Sequence, residues 1–144
     1  MIENIELFQP SWLAIAKKEL GQVEIAGDKD NERIIEYHRT TTLKAADDEV
    51  PWCSSFVNWA IRRAGFKGTD SARARSWLSW GIDFRIPAYG CVVVLSRGKV
   101  GQGHVGFFVG RKAGQVALLG GNQSNAVSIT WFPESKILGY RWPT

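Results

Sequence analysis

The sequence predicts an α+β domain, with helices first and an antiparallel sheet of about five strands after them, and three observations carry that expectation. Apolar residues recur at helical spacing in the first half of the chain. From residue 91 onward, β-branched and aromatic runs alternate with glycine-rich turns. The chain of 144 residues, 44% of them hydrophobic, can fill one core without disulfide or metal support, so a single domain over residues 1–144 is expected.

Ser11 precedes Trp12, Leu13, Ile15, Ala16 and Leu20, an amphipathic run that stops at Gly21 and reads as a capped first helix. A polar stretch over 22–30 follows. Ile34, Ile35 and Tyr37 then form a second short helix that fades into Thr40, Thr41 and Thr42. The acidic triplet Asp47, Asp48 and Glu49 leads through Pro51 to a third helix, from Cys53 to about Ala64, closed by Gly65. A fourth helix is expected over 71–80, ending at Gly81. The strands are expected at 91–95, 105–109, 116–119, 127–131 and 137–142, as consecutive antiparallel neighbours with the helices packed on one side. No repeat, linker or low-complexity segment interrupts the order.

A net charge of +4 favours polyanions, but the basic residues (Lys17, Lys18, Arg62, Arg63, Arg73, Arg75, Arg97, Arg111, Lys112) are scattered. They read as solvated faces, and no nucleic-acid partner is expected. Among the seven Trp, Trp59 and Trp77 suit packing, while Trp52 and Trp131 suit the wall of a groove. No run of eighteen apolar residues and no signal-like N-terminus is seen, so synthesis in the cytoplasm without a membrane span or signal peptide is expected. A substrate outside the cytoplasm would then require release by lysis or delivery by an injection machine. Cys53 and Cys91 read as free thiols, and with His38 and His104 they show no zinc spacing, so neither metal nor cofactor is expected.

In the third helix, Cys53, Phe56, Val57, Ala60, Ile61 and Ala64 share one face, and Cys53 heads this core-facing stripe. A thiol in a helix's first turn meets unpaired backbone N–H groups and the positive end of the dipole. Both favour the thiolate, and the same groups can hold an oxyanion. The alternative is a small buried apolar residue. His104 lies in Gly101-Gln102-Gly103-His104-Val105-Gly106 at the opening of an apolar strand. Alternation puts His104, Gly106 and Phe108 on one face and Val105, Phe107 and Val109 on the other. Flanking glycines leave room for a second backbone or a substrate, which suits a base; a structural histidine is the alternative. Asn122, in Leu119-Gly120-Gly121-Asn122-Gln123-Ser124, ends the next strand, which returns to the level of His104. It is expected to hold the second imidazole nitrogen, unless it is only a turn residue.

The ordered set Pro51-Trp52-Cys53-Ser54-Ser55-Phe56-Val57-Asn58-Trp59, Gly103-His104-Val105-Gly106 and Gly120-Gly121-Asn122-Gln123 resembles the NlpC-like and CHAP branches of the papain-like hydrolases, small phage and prophage wall-lytic proteins included. The likeness extends to Glu24-Ile25-Ala26-Gly27, Ile34-Ile35-Glu36-Tyr37 and Ala74-Arg75-Ser76-Trp77. It implies a nucleophile at a helix N-terminus packed on an antiparallel sheet, and a thiol mechanism cutting amides in peptidoglycan, within the stem peptide or between lactyl and L-alanine. Cys53 would be nucleophile, His104 base and Asn122 the orienting member. Trp52, Glu24, Tyr37, Asp48 and Gln123 are expected at the substrate groove, with Tyr37 or Gln22 as candidates for an oxyanion donor beside the Cys53 backbone N–H. Where relatives commonly carry Gly-Asp, this chain has Gly90-Cys91; Cys91 has no visible base, and His38 serves as the control histidine. A monomer is expected, with room left for an inhibitor or immunity protein. The rival readings are a papain-like protease or deamidase toxin acting on a protein, and a non-catalytic wall- or sugar-binding module.

Overall fold

The computed structural model describes residues 9–25, 31–41, 52–98 and 101–144. Helix α1 spans Ser11–Lys17 and starts directly after Pro10, whose carbonyl accepts from the Leu13 and Ala14 amides. Ser11 is its first residue rather than its cap, and no side chain caps it. The chain leaves α1 through turns to Gly21, at φ +98°. Helix α2, Glu32–His38, is capped by Asn31, whose side chain accepts from the Arg33 amide. Helix α3 is Cys53–Arg63, with every residue from Cys53 to Ile61 buried. None of the described helices is long and apolar enough to cross a membrane.

The expected fourth helix is instead a 3-10 turn, Ala74–Ser79. The Ser76 hydroxyl donates to the Arg73 carbonyl at 2.6 Å and Ser79 to that of Ser76 at 3.3 Å. Such local bonds compete with the α-helical ladder and suit the tighter turn.

Six strands follow: β1 Ile82–Phe84, β2 Val92–Ser96, β3 Gly103–Lys112, β4 Gln115–Gln123, β5 Ala126–Pro133 and β6 Ile137–Trp142. Their order in one antiparallel sheet is β1-β6-β2-β3-β4-β5. The five expected strands are present, and β2 to β5 run as a meander. β6 crosses back to the free side of β2, and the unexpected β1 pairs with β6 through Ile82, Asp83 and Phe84. Three mostly exposed residues carry too short an alternation to announce a strand; the free edge of β6 makes one of them.

The helices cover one face of the sheet. Val92, Val94, Val105, Phe107 and Leu119 join Trp12, Leu13, Ile34, Tyr37, Phe56 and Trp77 in the main core. Intervening residues Cys91, Val93, Leu95, Val116 and Leu118 form a second cluster on the opposite face, with Phe108, Phe132 and Tyr140 against it. Period-two alternation thus divides each central strand between two cores.

Candidate active site

Helix α3 and strand β3 bring Cys53 and His104 into contact. Cys53, the first residue of α3, is buried apart from 6% of its surface. Burial pushes its thiol up, but the hydrogen-bonding contact and charge of His104, together with the Val105 and Ser54 backbone amides, outweigh that. They bring the thiol below its ordinary value.

His104 is equally enclosed, and its two ring nitrogens have different surroundings. Nε2 lies 2.8 Å from Gln123 Oε1. Nδ1 is buried and makes no well-aligned hydrogen bond, so it is the nitrogen left for the thiol. Such contacts are often long or poorly aligned until a substrate tightens them.

Gln123 determines which nitrogen carries the proton. Its Nε2 donates to the Leu118 carbonyl at 3.1 Å and the Ser128 carbonyl at 2.7 Å, which uses both amide hydrogens. Only Oε1 remains to face the ring, and a carbonyl oxygen can only accept. His104 Nε2 therefore donates, and the neutral ring presents a lone pair on Nδ1 to Cys53. Phe132 covers the imidazole with ring centroids 5.2 Å apart.

The second imidazole nitrogen, expected to meet Asn122, is instead bonded to Gln123. Along β4, Val116 and Leu118 face the second core, the side on which His104 lies, and unbroken alternation would put Asn122 there too. A bulge intervenes: Gly120 pairs with Ser128 and Gln123 with Ala126, so β4 carries one extra residue. The extra residue flips the alternation. Asn122 takes the left-handed conformation, φ +57°, at the half-buried edge, and Gln123 turns inward, only 4% exposed. Gln123 thus holds the histidine while also lining the cavity beside it.

Trp52 and Tyr37, also expected at the groove, are fully buried. They stack on each other with centroids 5.9 Å apart. The Trp52 indole donates to Glu24, and the Tyr37 hydroxyl donates to Glu19 at 2.7 Å. Both polar ends are therefore engaged inside the protein, and Tyr37 has no hydroxyl proton to offer an oxyanion. Glu24 likewise holds the residue next to Cys53. Gln22 accepts from Asn31 at 3.1 Å beside the α2 cap. Asp48 lies outside the described residues. The glycines before Asn122 make this packing feasible: a Cβ on Gly121 would stand 2.6 Å from the Trp52 ring and 2.8 Å from Phe56 Cβ, and one on Gly120 would stand 2.6 Å from Gln123 Oε1.

The control residues behave differently from the pair. Cys91 is buried in the second core, where burial pushes its thiol up to about 11. His38 is buried with Nδ1 2.9 Å from the Ser55 hydroxyl. Trp59 and Trp77 are in the main core as expected, and Trp131, 47% exposed, borders a small cavity with Lys112, Ala113 and Gln115, away from His104.

Two cavities lie on the His104 side of the pair. One of about 330 Å³ is lined by His104, Asn122, Leu95, Phe132, Pro133 and Lys136, among others. A second, about 460 Å³, shares Asn122 and Arg97 with it and includes Gly103, beside the histidine. A larger cavity of about 730 Å³ lies at the C-terminal end of α3, between Arg39, Arg62 and Asp70, and no cysteine or histidine lines it.

Among curated proteins, none matches the chain. The family profile of the CHAP domain matches residues 45–122, which hold α3, the 3-10 turn, β1 to β3 and β4 as far as Asn122. That stretch exceeds half the sequence and contains both the thiol and the imidazole; with its helices on a six-stranded antiparallel sheet, the chain belongs to the CHAP domain family.

Proposed function

We propose that this protein is a cysteine amidohydrolase of peptidoglycan, with Cys53 as nucleophile, His104 as general base and acid, and Gln123 as the residue that positions the imidazole. CHAP domains are typically hydrolases acting on peptidoglycan, which supports that substrate class here. The observation that carries the chemistry is the depressed Cys53 thiol against the Nδ1 side of a histidine whose Nε2 is held by Gln123.

In the proposed reaction, Nδ1 of His104 takes the thiol proton and the sulfur attacks an amide carbonyl carbon. The carbonyl electrons move onto oxygen, beside the backbone N–H of Cys53, one of the amides that a helix start leaves unpaired. When the tetrahedral species collapses, the C–N bond breaks and the imidazolium protonates the departing amine. Water, deprotonated by the same nitrogen, then cleaves the thioester, which returns the thiol and releases a carboxylic acid. The Gln123 carbonyl accepts from Nε2–H throughout and stabilises the charged ring most.

Incubation with purified sacculi, followed by mass spectrometry of the soluble fragments, tests this reading. Fragments bearing one new amine and one new carboxyl group are expected, and their masses report whether the bond lies in the stem peptide or at the lactyl group. Intact sacculi after prolonged incubation, or release by a Cys53→Ala variant at the parent rate, would refute it.

A further inference from the structure

The second cavity at the active site contains three arginines and, among the described residues, no carboxylate. Arg73 and Arg75 flank Ala74 at the start of the 3-10 turn, and Arg97 follows β2; with Gln102 and Asn122 they line the space of about 460 Å³. Among the described residues, the ion pairs engage Arg33, Arg63 and Arg111 and none of these three. Arg75 is partly fixed, because its Nε donates to the Gln102 carbonyl at 3.1 Å, which leaves the terminal nitrogens uncommitted. Arg73 and Arg97 are exposed. Three guanidinium groups around one basin repel one another, and an anion placed among them relieves that repulsion while accepting charge-assisted hydrogen bonds.

The basin is built against the reactive pair. Gly103, the residue before His104, packs on Ala74 and Arg75: a Cβ there would stand 3.2 Å from Arg75 Cγ. Ser54, the residue after Cys53, donates its hydroxyl at 2.6 Å to the carbonyl of Ser71, and Asn58 Nδ2 bonds the same carbonyl at 3.1 Å. The arginine segment is therefore clamped to the first turn of the nucleophile helix. Asn122 joins the basin to the more apolar cavity that contains His104.

We infer that the Arg73–Arg75–Arg97 basin is a subsite for a free carboxylate of the substrate, so that the enzyme selects stem peptides with an ionised carboxyl group near the scissile amide over the same peptides carrying a carboxamide. This rests on the peptidoglycan reading above. The cations that looked scattered along the sequence thus include three that converge at the site.

The test uses two synthetic stem peptides that differ only in carboxylate against carboxamide at the side-chain and α positions, with kcat/KM measured for each. The amide analogue cannot form the charge-assisted hydrogen bond, so the acid should be preferred by about tenfold or more, mainly through KM, and added salt should reduce the preference. Replacing Arg73 and Arg97 together by Gln should bring the ratio close to one. The matched double change Arg39→Gln with Arg62→Gln, on exposed residues at the far end of α3, should keep it. Equal cleavage of both peptides by the parent protein overturns the subsite alone, and so does a ratio that survives the loss of Arg73 and Arg97 or falls equally in the matched control. Failure to cleave either peptide or sacculi overturns the parent reading, and the subsite falls with it.

Discussion

Cys53 and Cys91 are both enclosed, and burial opposes ionisation at both, yet their thiols shift in opposite directions. At Cys91 only weak backbone contacts, led by Ala88, oppose desolvation, and the thiol rises to about 11. At Cys53 an imidazole and two backbone amides converge on the sulfur, and the balance reverses. Burial by itself therefore makes a cysteine inert. What separates the two is a helix start that meets a strand carrying a histidine with a fixed tautomer.

The sharpest way to break this comparison is to delete each sulfur. Cys53→Ala should reduce fragment release from sacculi by at least about 10⁴-fold while the protein remains folded. Cys91→Ala should keep activity within about threefold and instead lower stability by about 1 kcal/mol, the cost of a small void in the second core. Similar losses of turnover in both variants, with melting unchanged, would show that the sulfurs are not distinguished as their surroundings imply.

The second way is to titrate the thiol. Iodoacetamide reacts with the thiolate, so the alkylation rate rises with pH through the thiol's pKa. Because Cys53 lies below the ordinary value, its half-maximal rate should come at a lower pH than a free cysteine's, whereas Cys91 should stay unmodified in the folded protein. Gln123→Ala removes the acceptor that stabilises the charged ring, so the Cys53 midpoint should move up and kcat should fall by about 10²-fold, as expected when a reacting group loses its orientation. Gln123→Glu puts a carboxylate at Nε2 and should move the midpoint down instead, at a cost in stability because the Leu118 and Ser128 carbonyls lose their donor. A structural role for Gln123 would move melting temperature in both variants and the midpoint in neither.

Position 123 also marks where the sequence stops being legible. The Cys53 stripe and the glycine-flanked His104 were readable because helical and strand periods hold without interruption up to those residues. Gln123 was not, because a single extra residue in β4 transfers the inward-facing role from Asn122, and alternation alone gives no sign of a bulge. Trp52 and Tyr37 looked like groove residues because aromatic rings beside a nucleophile suit either use. Their burial depends on β4 approaching α3 closely at Gly121, a tertiary contact. The 3-10 turn and β1 escaped for local reasons, serine back-bonding in one and an edge strand of three residues in the other. The arginine basin escaped because Arg97 joins Arg73 and Arg75 only after β2 has been laid down beside β3.

Gly121 offers a smaller perturbation that acts on one cysteine's surroundings. Gly121→Ala would press a methyl group into Trp52 and Phe56, which flank Cys53 in sequence and in space. Relief requires the first turn of α3 to move, so a loss of about 1–3 kcal/mol in stability is expected, as for other overpacked cores. Native-state alkylation of Cys53 should change while Cys91 remains protected. Unchanged alkylation with lowered stability would show that the strain is absorbed on the sheet side.

The smallest expected effect belongs to Asn122. Its left-handed backbone, φ +57°, is one that Asn tolerates better than Ala and Gly better than either. Asn122→Ala should therefore cost about 1 kcal/mol by denaturant melting, and Asn122→Gly should recover most of it. Its half-buried side chain faces the two cavities, and the imidazole nitrogen it was expected to hold is bonded to Gln123, so the Cys53 alkylation midpoint should stay where it is in both variants. A midpoint that rises in Asn122→Ala and is not restored in Asn122→Gly would assign the residue to the support of His104, and Gln123 would no longer be its sole orienting partner.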